Sequence, residues 1–138
     1  MRVYIDSSVV LRLVLGERSP HVAAGEFDDG VTSALLGVEC LRAVDRLRLL
    51  EPSRAVELSR TTAAIYDIVR ALTLIGIDQA VLDRASHPFP VPLGTLDAIH
   101  LASALLFREQ EGIELAVATH DAQLALAASA MGFKLLEV

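Results

Sequence analysis

Apolar and polar positions alternate along this chain in short blocks. Arg2-Val3-Tyr4-Ile5 predicts a brief strand that Asp6-Ser7-Ser8 ends. Ser7 or Ser8 is placed to cap a helix over 9–15, which Gly16 stops. Pro20 to Phe27 predicts a short second helix closing on Asp28-Asp29-Gly30. Val31-Thr32 predicts a second strand, with Ser33 as the next cap. Over 35–50, Leu36, Cys40, Ala43, Leu47 and Leu50 recur at helical spacing, and Glu39 sits on the margin of that stripe. Glu51-Pro52-Ser53 opens a further helix over 54–70, and the β-branched run 71–77 predicts a third strand. A short helix over 78–86 precedes an irregular loop, because Pro88, Pro90 and Pro92 remove donors and forbid helix.

The next block, Leu93 to Leu106, is apolar almost all round and predicts a buried helix reaching about Glu111, where Gly112 ends it. Thr95 is its expected N-cap, which makes Asp97 the second helical residue. A buried-type strand over 115–119, a helix from Asp121 to Met131 and a last strand over 133–136 complete the chain. Strands alternating with helices predict a parallel sheet covered on both faces, in one domain over 1–138.

Composition narrows the picture. At 138 residues the chain is long enough for one sizeable core. Apolar residues make up 53% and aromatics 4%, so the core must be mainly aliphatic. The single cysteine, Cys40, excludes an internal disulfide and a cysteine zinc site, and fits a reducing cytosol. No apolar run reaches membrane-spanning length, and no secretory signal opens the chain. The net charge of −6 is a poor match to a simple phosphate-backbone binder. Nucleic-acid chemistry would therefore need a local source of positive charge.

Four carboxylates stand where such a source could be held. Asp6 and Asp121 follow strands, Asp97 opens a helix, and Glu39 lies about one turn into another. In parallel sheets ligands bind beyond the carboxyl ends of the strands, so all four can face one edge. Carboxylates sharing a site repel each other, and a divalent cation resolves the repulsion. Mg²⁺ and Mn²⁺ prefer oxygen ligands. Each acid also has a structural reading. Asp6 can be a strand-end turn residue, Asp121 an N-cap, and Asp97 an acid that offsets its helix dipole. Glu39 needs a partner, and Arg42 or Arg46 can serve.

Taken together, Tyr4-Ile5-Asp6-Ser7-Ser8, Glu39, Leu96-Asp97-Ala98-Ile99-His100-Leu101-Ala102 and Ala118-Thr119-His120-Asp121 before Gly132-Phe133 resemble a PIN domain. More narrowly, the set resembles a VapC-type toxin, over essentially the whole chain. The resemblance implies an α/β, three-layer fold with a short parallel sheet of about five strands. It implies a Mg²⁺- or Mn²⁺-dependent endoribonuclease whose metal and catalytic residues are Asp6, Glu39, Asp97 and Asp121. Thr119 and Ser7 match supporting hydroxyl positions. It also implies a homodimer, an RNA substrate and a cognate antitoxin, while the lone cysteine and the short apolar runs add the expectation of a cytoplasmic protein with no membrane partner. Gly94 departs from the pattern, since many relatives carry a basic residue there.

Other residues carry two readings. His100, one turn after Asp97, is a satisfied, partly buried histidine or a member of the pocket. His120 reads as surface. Arg42, Arg46 and Arg48 form an RNA-facing patch or a solvated helix face. The apolar faces of the helices over 35–50 and 54–70 exceed what one small sheet needs and read as dimer or antitoxin contacts. Rival functions are an inactive PIN-fold binding module and an RNA-processing nuclease that is not a toxin. A receiver domain and a haloacid-dehalogenase phosphatase fit less well, because Ser7-Ser8 follow Asp6 where those folds want a second acid.

Overall fold

The computed structural model describes residues 1–16 and 29–138. The helix expected over 20–27 lies outside the described residues. Among the described residues there are five strands: β1 (Arg2–Ile5), β2 (Gly30–Ser33), β3 (Thr73–Ile75), β4 (Leu115–Ala118) and β5 (Lys134–Leu135). The helices are α1 (Ser7–Val14), α2 (Leu35–Leu50), α3 (Ala55–Ala71), α4 (Gln79–Ser86), α5 (Thr95–Glu111) and α6 (Ala122–Ala130). A 3₁₀ turn, Pro52–Arg54, joins α2 to α3. The strands pair in parallel in the order β3-β2-β1-β4-β5.

Strand alternation produces three layers. Successive side chains point to opposite faces. Tyr4 and Val117 therefore enter one core with Leu101, Leu105, Leu124 and Phe133, from α5, α6 and the segment before β5. Their neighbours Ile5 and Ala118 enter a second core with Val10, Leu36, Leu58 and Ile65, from α1, α2 and α3. Tyr4 and Ile5 are both buried, which is why β1 reads as a continuous apolar run. The α/β architecture expected from the sequence is the one observed.

Several boundaries differ, each for a local reason. Helix α1 begins at Ser7, with Asp6 rather than a serine as its N-cap residue. Helix α5 begins at Thr95 with Gly94 as N-cap residue, so Asp97 is its third residue and not its second. Strand β3 keeps only Thr73 to Ile75, because α3 extends through Ala71 and the strand, at the sheet edge, pairs only with β2. Along α2, Leu36, Cys40 and Val44 are buried at a strict spacing of four. Val44 thus takes the core position expected for Ala43, and Leu50 stands 71% exposed. Gly112 closes α5 at φ 61°, a left-handed conformation that side chains resist. Exposed Val38, Leu49, Leu50, Val56 and Tyr66 mark apolar surface on α2 and α3 beyond the core.

Candidate active site

Strands β1 and β4 are neighbours, and the chain leaves them in opposite directions, towards β2 and towards β5. The segments that follow diverge and open a crevice at the carboxyl ends of these strands. Asp6 sits at that point, 3% exposed, with its backbone N–H donating to Ala118 O at 3.1 Å. An acid present only to start a helix would accept from the helix backbone. The Asp6 side chain does not cap α1. Its Oδ2 accepts from Ser8 Oγ at 2.7 Å and from Thr119 Oγ1 at 2.8 Å, while Ser7 Oγ approaches Oδ1 at 3.4 Å.

Hydroxyls thus tie the ends of β1 and β4 together around one carboxylate. Thr119 Oγ1 accepts from the backbone N–H of Asp121 at 3.0 Å, and Ser8 Oγ accepts from that of His120 at 2.9 Å. Asp121 behaves as the capping reading predicts: its Oδ1 accepts from Leu124 N at 2.8 Å and starts α6. The cap uses one of its two oxygens.

Asp97, in the first turn of α5, draws the four acids into one electrostatic unit. Its carboxyl is pushed up to about 6 by burial, then by the negative charges of Asp121 and Asp6, with Glu39 adding and His100 opposing. Glu39 lies one turn into α2 and finds its partner across the crevice. The expected partners Arg42 and Arg46 are not the ones it takes. Glu39 Oε1 instead meets His100 Nε2. Arg42 and Arg48 pair with Asp45 at 3.0 and 2.8 Å on the exposed face of α2, as a solvated helix face would.

His100 is fully buried and satisfied on both nitrogens. Its Nδ1 lies 2.7 Å from Tyr4 Oη, and its Nε2 lies 3.8 Å from Asp6 Oδ1. Burial opposes its protonation, but the hydrogen bond and charge of Glu39, with Asp6 and Asp97, outweigh burial and raise its pKa. Tyr4 is raised well above the ordinary phenol range by burial and then by Asp6, so it stays a neutral donor. The two readings of His100 therefore merge: it is satisfied, and it belongs to the acidic cluster. His120 is half-buried, with Nδ1 3.0 Å from Arg12 Nη1, rather than simply on the surface.

Sequence reasoning missed Ser8 and Tyr4 as parts of this site. Tyr4 had a legible signal, since residues two apart on a strand share a face and Tyr4 precedes Asp6 by two. Nothing local distinguished Ser8 from Ser7; the start of α1 decided it.

The donor set suits a hard divalent cation. It offers carboxylate oxygens, of which those of Asp97 are hard to ionise, through burial first and the charges of Asp121 and Asp6 second. Cys40 is pushed up to about 12 by burial and then by Glu39 and Asp6, so its thiol stays neutral and is no ligand. Among the described residues, no three His, Cys, Asp or Glu side chains stand close enough together to hold a metal ion between them. An open set fits Mg²⁺, which keeps several waters and takes only one or two carboxylates directly.

Comparison with known proteins agrees with the fold. A family model described as PIN domain matches residues 3–130. Ribonuclease VapC46 of Mycobacterium tuberculosis is 30% identical over 138 residues, covering 97% of this chain and 95% of that protein. Ribonuclease VapC47 of the same species is 27% identical, covering 95% and 93%. The crystal structure of PAE2754 from Pyrobaculum aerophilum superposes with a TM-score of 0.62 over 99% of this chain and 92% of that one. At 15% identity, that likeness speaks to the fold alone.

Proposed function

The chain belongs to the PIN-domain family, and from that premise we propose that it is a metal-dependent endoribonuclease, a VapC-type toxin acting in the cytoplasm. The observation that supports the reading is geometric: His100 links Glu39 to a point 3.8 Å from Asp6, and Thr119 links Asp6 to the backbone of Asp121. The names of the two Mycobacterium relatives support RNA as substrate.

Asp6, Asp97 and Asp121 would hold Mg²⁺ or Mn²⁺, directly or through water, and Glu39 would help hold it or act on water. When bound, such a cation offsets the carboxylates' repulsion, polarises a phosphoryl oxygen and makes water a stronger acid. The chain's own residues do the rest. Ser8 and Thr119 fix the Asp6 carboxylate at the head of the crevice. Glu39, with one oxygen engaged by His100, orients the attacking water and takes its proton on the other. The water oxygen bonds to phosphorus in line as the P–O3′ bond breaks, and the departing O3′ takes a proton from solvent water, leaving a 5′-phosphate and a 3′-hydroxyl. This route does not use the 2′-hydroxyl as nucleophile, so preference for RNA rests on strand shape and access.

The net charge of −6 and the acidic crevice suit neutralisation by a basic side chain of a cognate antitoxin. Exposed Val38, Leu49, Leu50 and Val56 support protein contacts on α2 and α3, to that antitoxin or to a second copy in a homodimer. No helix among the described residues is long and apolar enough to cross a membrane.

The test is incubation of purified, partner-free protein with total RNA in Mg²⁺, in Mn²⁺ and in EDTA, beside Glu39→Gln. Discrete fragments with 5′-phosphate ends, absent in EDTA and at least ~100-fold slower in the variant, are expected. Fragments that persist in EDTA, or that Glu39→Gln yields equally well, would refute the reading.

A further inference from the structure

His100 spans three elements: it is carried by α5, and its two ring nitrogens meet β1 on one side and α2 on the other. The donor inventory fixes the direction of the chain of hydrogen bonds it completes. The backbone N–H of Ser33 can only donate, so Tyr4 Oη accepts it, at 3.2 Å. Tyr4's own proton is then directed to His100 Nδ1, 2.7 Å away. That leaves the ring hydrogen on Nε2, where it donates to Glu39 Oε1. An imidazolium also donates from Nε2, so the contact with Glu39 is the same in either charge state.

The neighbours of Glu39 show what the contact is for. On α2, Glu39 lies between the buried Leu36 and Cys40 and the exposed Val38, at the margin of the apolar stripe. Its side chain is 18% exposed, and His100 is the partner the structure gives it. A glutamate side chain has several rotamers to lose when fixed, so without a partner it would sample several positions. A buried imidazole anchored to the sheet restricts it to one.

We propose that His100 is a positioning residue for Glu39. By engaging Oε1 from a site anchored through Tyr4 to β1 and β2, it selects one rotamer and leaves Oε2 as the oxygen that acts on water or cation. This inference rests on the nuclease reading, because it assigns Glu39 a part in that chemistry. His100 itself touches neither RNA nor the reacting atoms. Outer partners that orient metal ligands or catalytic carboxylates are worth about 10–100-fold in affinity or activity.

Three variants of the full chain test it: His100→Leu removes the donor, His100→Gln keeps an amide N–H near the position of Nε2, and Tyr4→Phe removes the anchor, together with the acceptor of the Ser33 N–H. Each is checked for folding by thermal melting, then measured for Mn²⁺ affinity by calorimetry and for RNA cleavage as separate kcat and KM. Proton NMR of the metal-free wild type is expected to show a slowly exchanging, downfield Nε2–H resonance that moves upfield in Glu39→Gln. His100→Leu is expected to lose about 10–100-fold in kcat with KM for RNA unchanged. His100→Gln should recover most of that loss, and Tyr4→Phe should fall between. If His100→Leu does not fold, Tyr4→Phe and the resonance decide. Equal kcat in wild type and folded variants, no Nε2–H resonance, or a folded His100→Gln as poor as His100→Leu would each overturn the positioning role. A wild type that shows the resonance but neither binds Mn²⁺ nor cleaves RNA would instead refute the nuclease reading, and the role would fall with it.

Discussion

Removing the charge of Asp97 is expected to stabilise the metal-free protein at neutral pH. The carboxyl titrates at about 6 in the folded chain against an ordinary 3.8. At about 1.4 kcal/mol per tenfold, that rise corresponds to about 3 kcal/mol of unfavourable interaction for the ionised form. Asp97 is only half-buried, so solvent screening reduces the figure to about 1–2 kcal/mol. Asn also forgoes the favourable interaction of an acid with the helix N-terminus, about 0.5 kcal/mol. The net gain for Asp97→Asn in EDTA is therefore about 1 kcal/mol, or about 2–5 °C in Tm for a domain of this size. The sign with pH is fixed by linkage. Between its unfolded and folded pKa values the folded state holds the extra proton. Wild-type stability from this site is thus full below about pH 4 and is lost as pH rises towards about 6. Thermal melts in EDTA at about pH 4 and about pH 7.5 should show the variant level with wild type at the lower pH and above it at the higher. Added Mn²⁺ should reverse the order, because a ligand that binds only the folded wild-type site raises its Tm. A variant less stable than wild type at neutral pH, or a gap independent of pH, would refute the argument that burial and the neighbouring carboxylates disfavour ionised Asp97.

Asp121→Asn separates the cap from the charge. Asn caps as well as Asp, so Tm should stay within about 2 °C of wild type, while Mn²⁺ affinity by calorimetry should drop about tenfold or more. Thr119→Val keeps the shape but removes the hydroxyl that donates to Asp6 and accepts from Asp121 N. Leaving both groups short of a partner should destabilise the protein by about 1–3 kcal/mol in urea unfolding, and no loss there would discount the tie between the β1 and β4 ends.

The alternation of apolar runs with helical stripes fixed the strand and helix count among the described residues, and with it a parallel sheet covered on both faces. Tyr4-Ile5 and Val117-Ala118 could be read as buried because a strand with helices on both sides must be apolar at every position. Asp121 could be read as a cap, since capping is a local event between a side chain and a backbone N–H three residues on. The four acids could be gathered in thought, because each stands at the end of a strand or near the start of a helix. Their partners could not. Glu39 was matched to the arginines of its own helix, which pattern makes neighbours; the fold gave it His100, 61 residues away, because β1, α2 and α5 meet there. Ser8 rather than Ser7 reaches Asp6 most closely because α1 starts at Ser7, two residues before the expected helix over 9–15. What the sequence by itself determined were the local elements, the layering and the identity of the acids. Only the tertiary structure decided which groups those acids face, since hydrogen bonding and charge repulsion act over a few ångströms through space and have no periodicity along the chain.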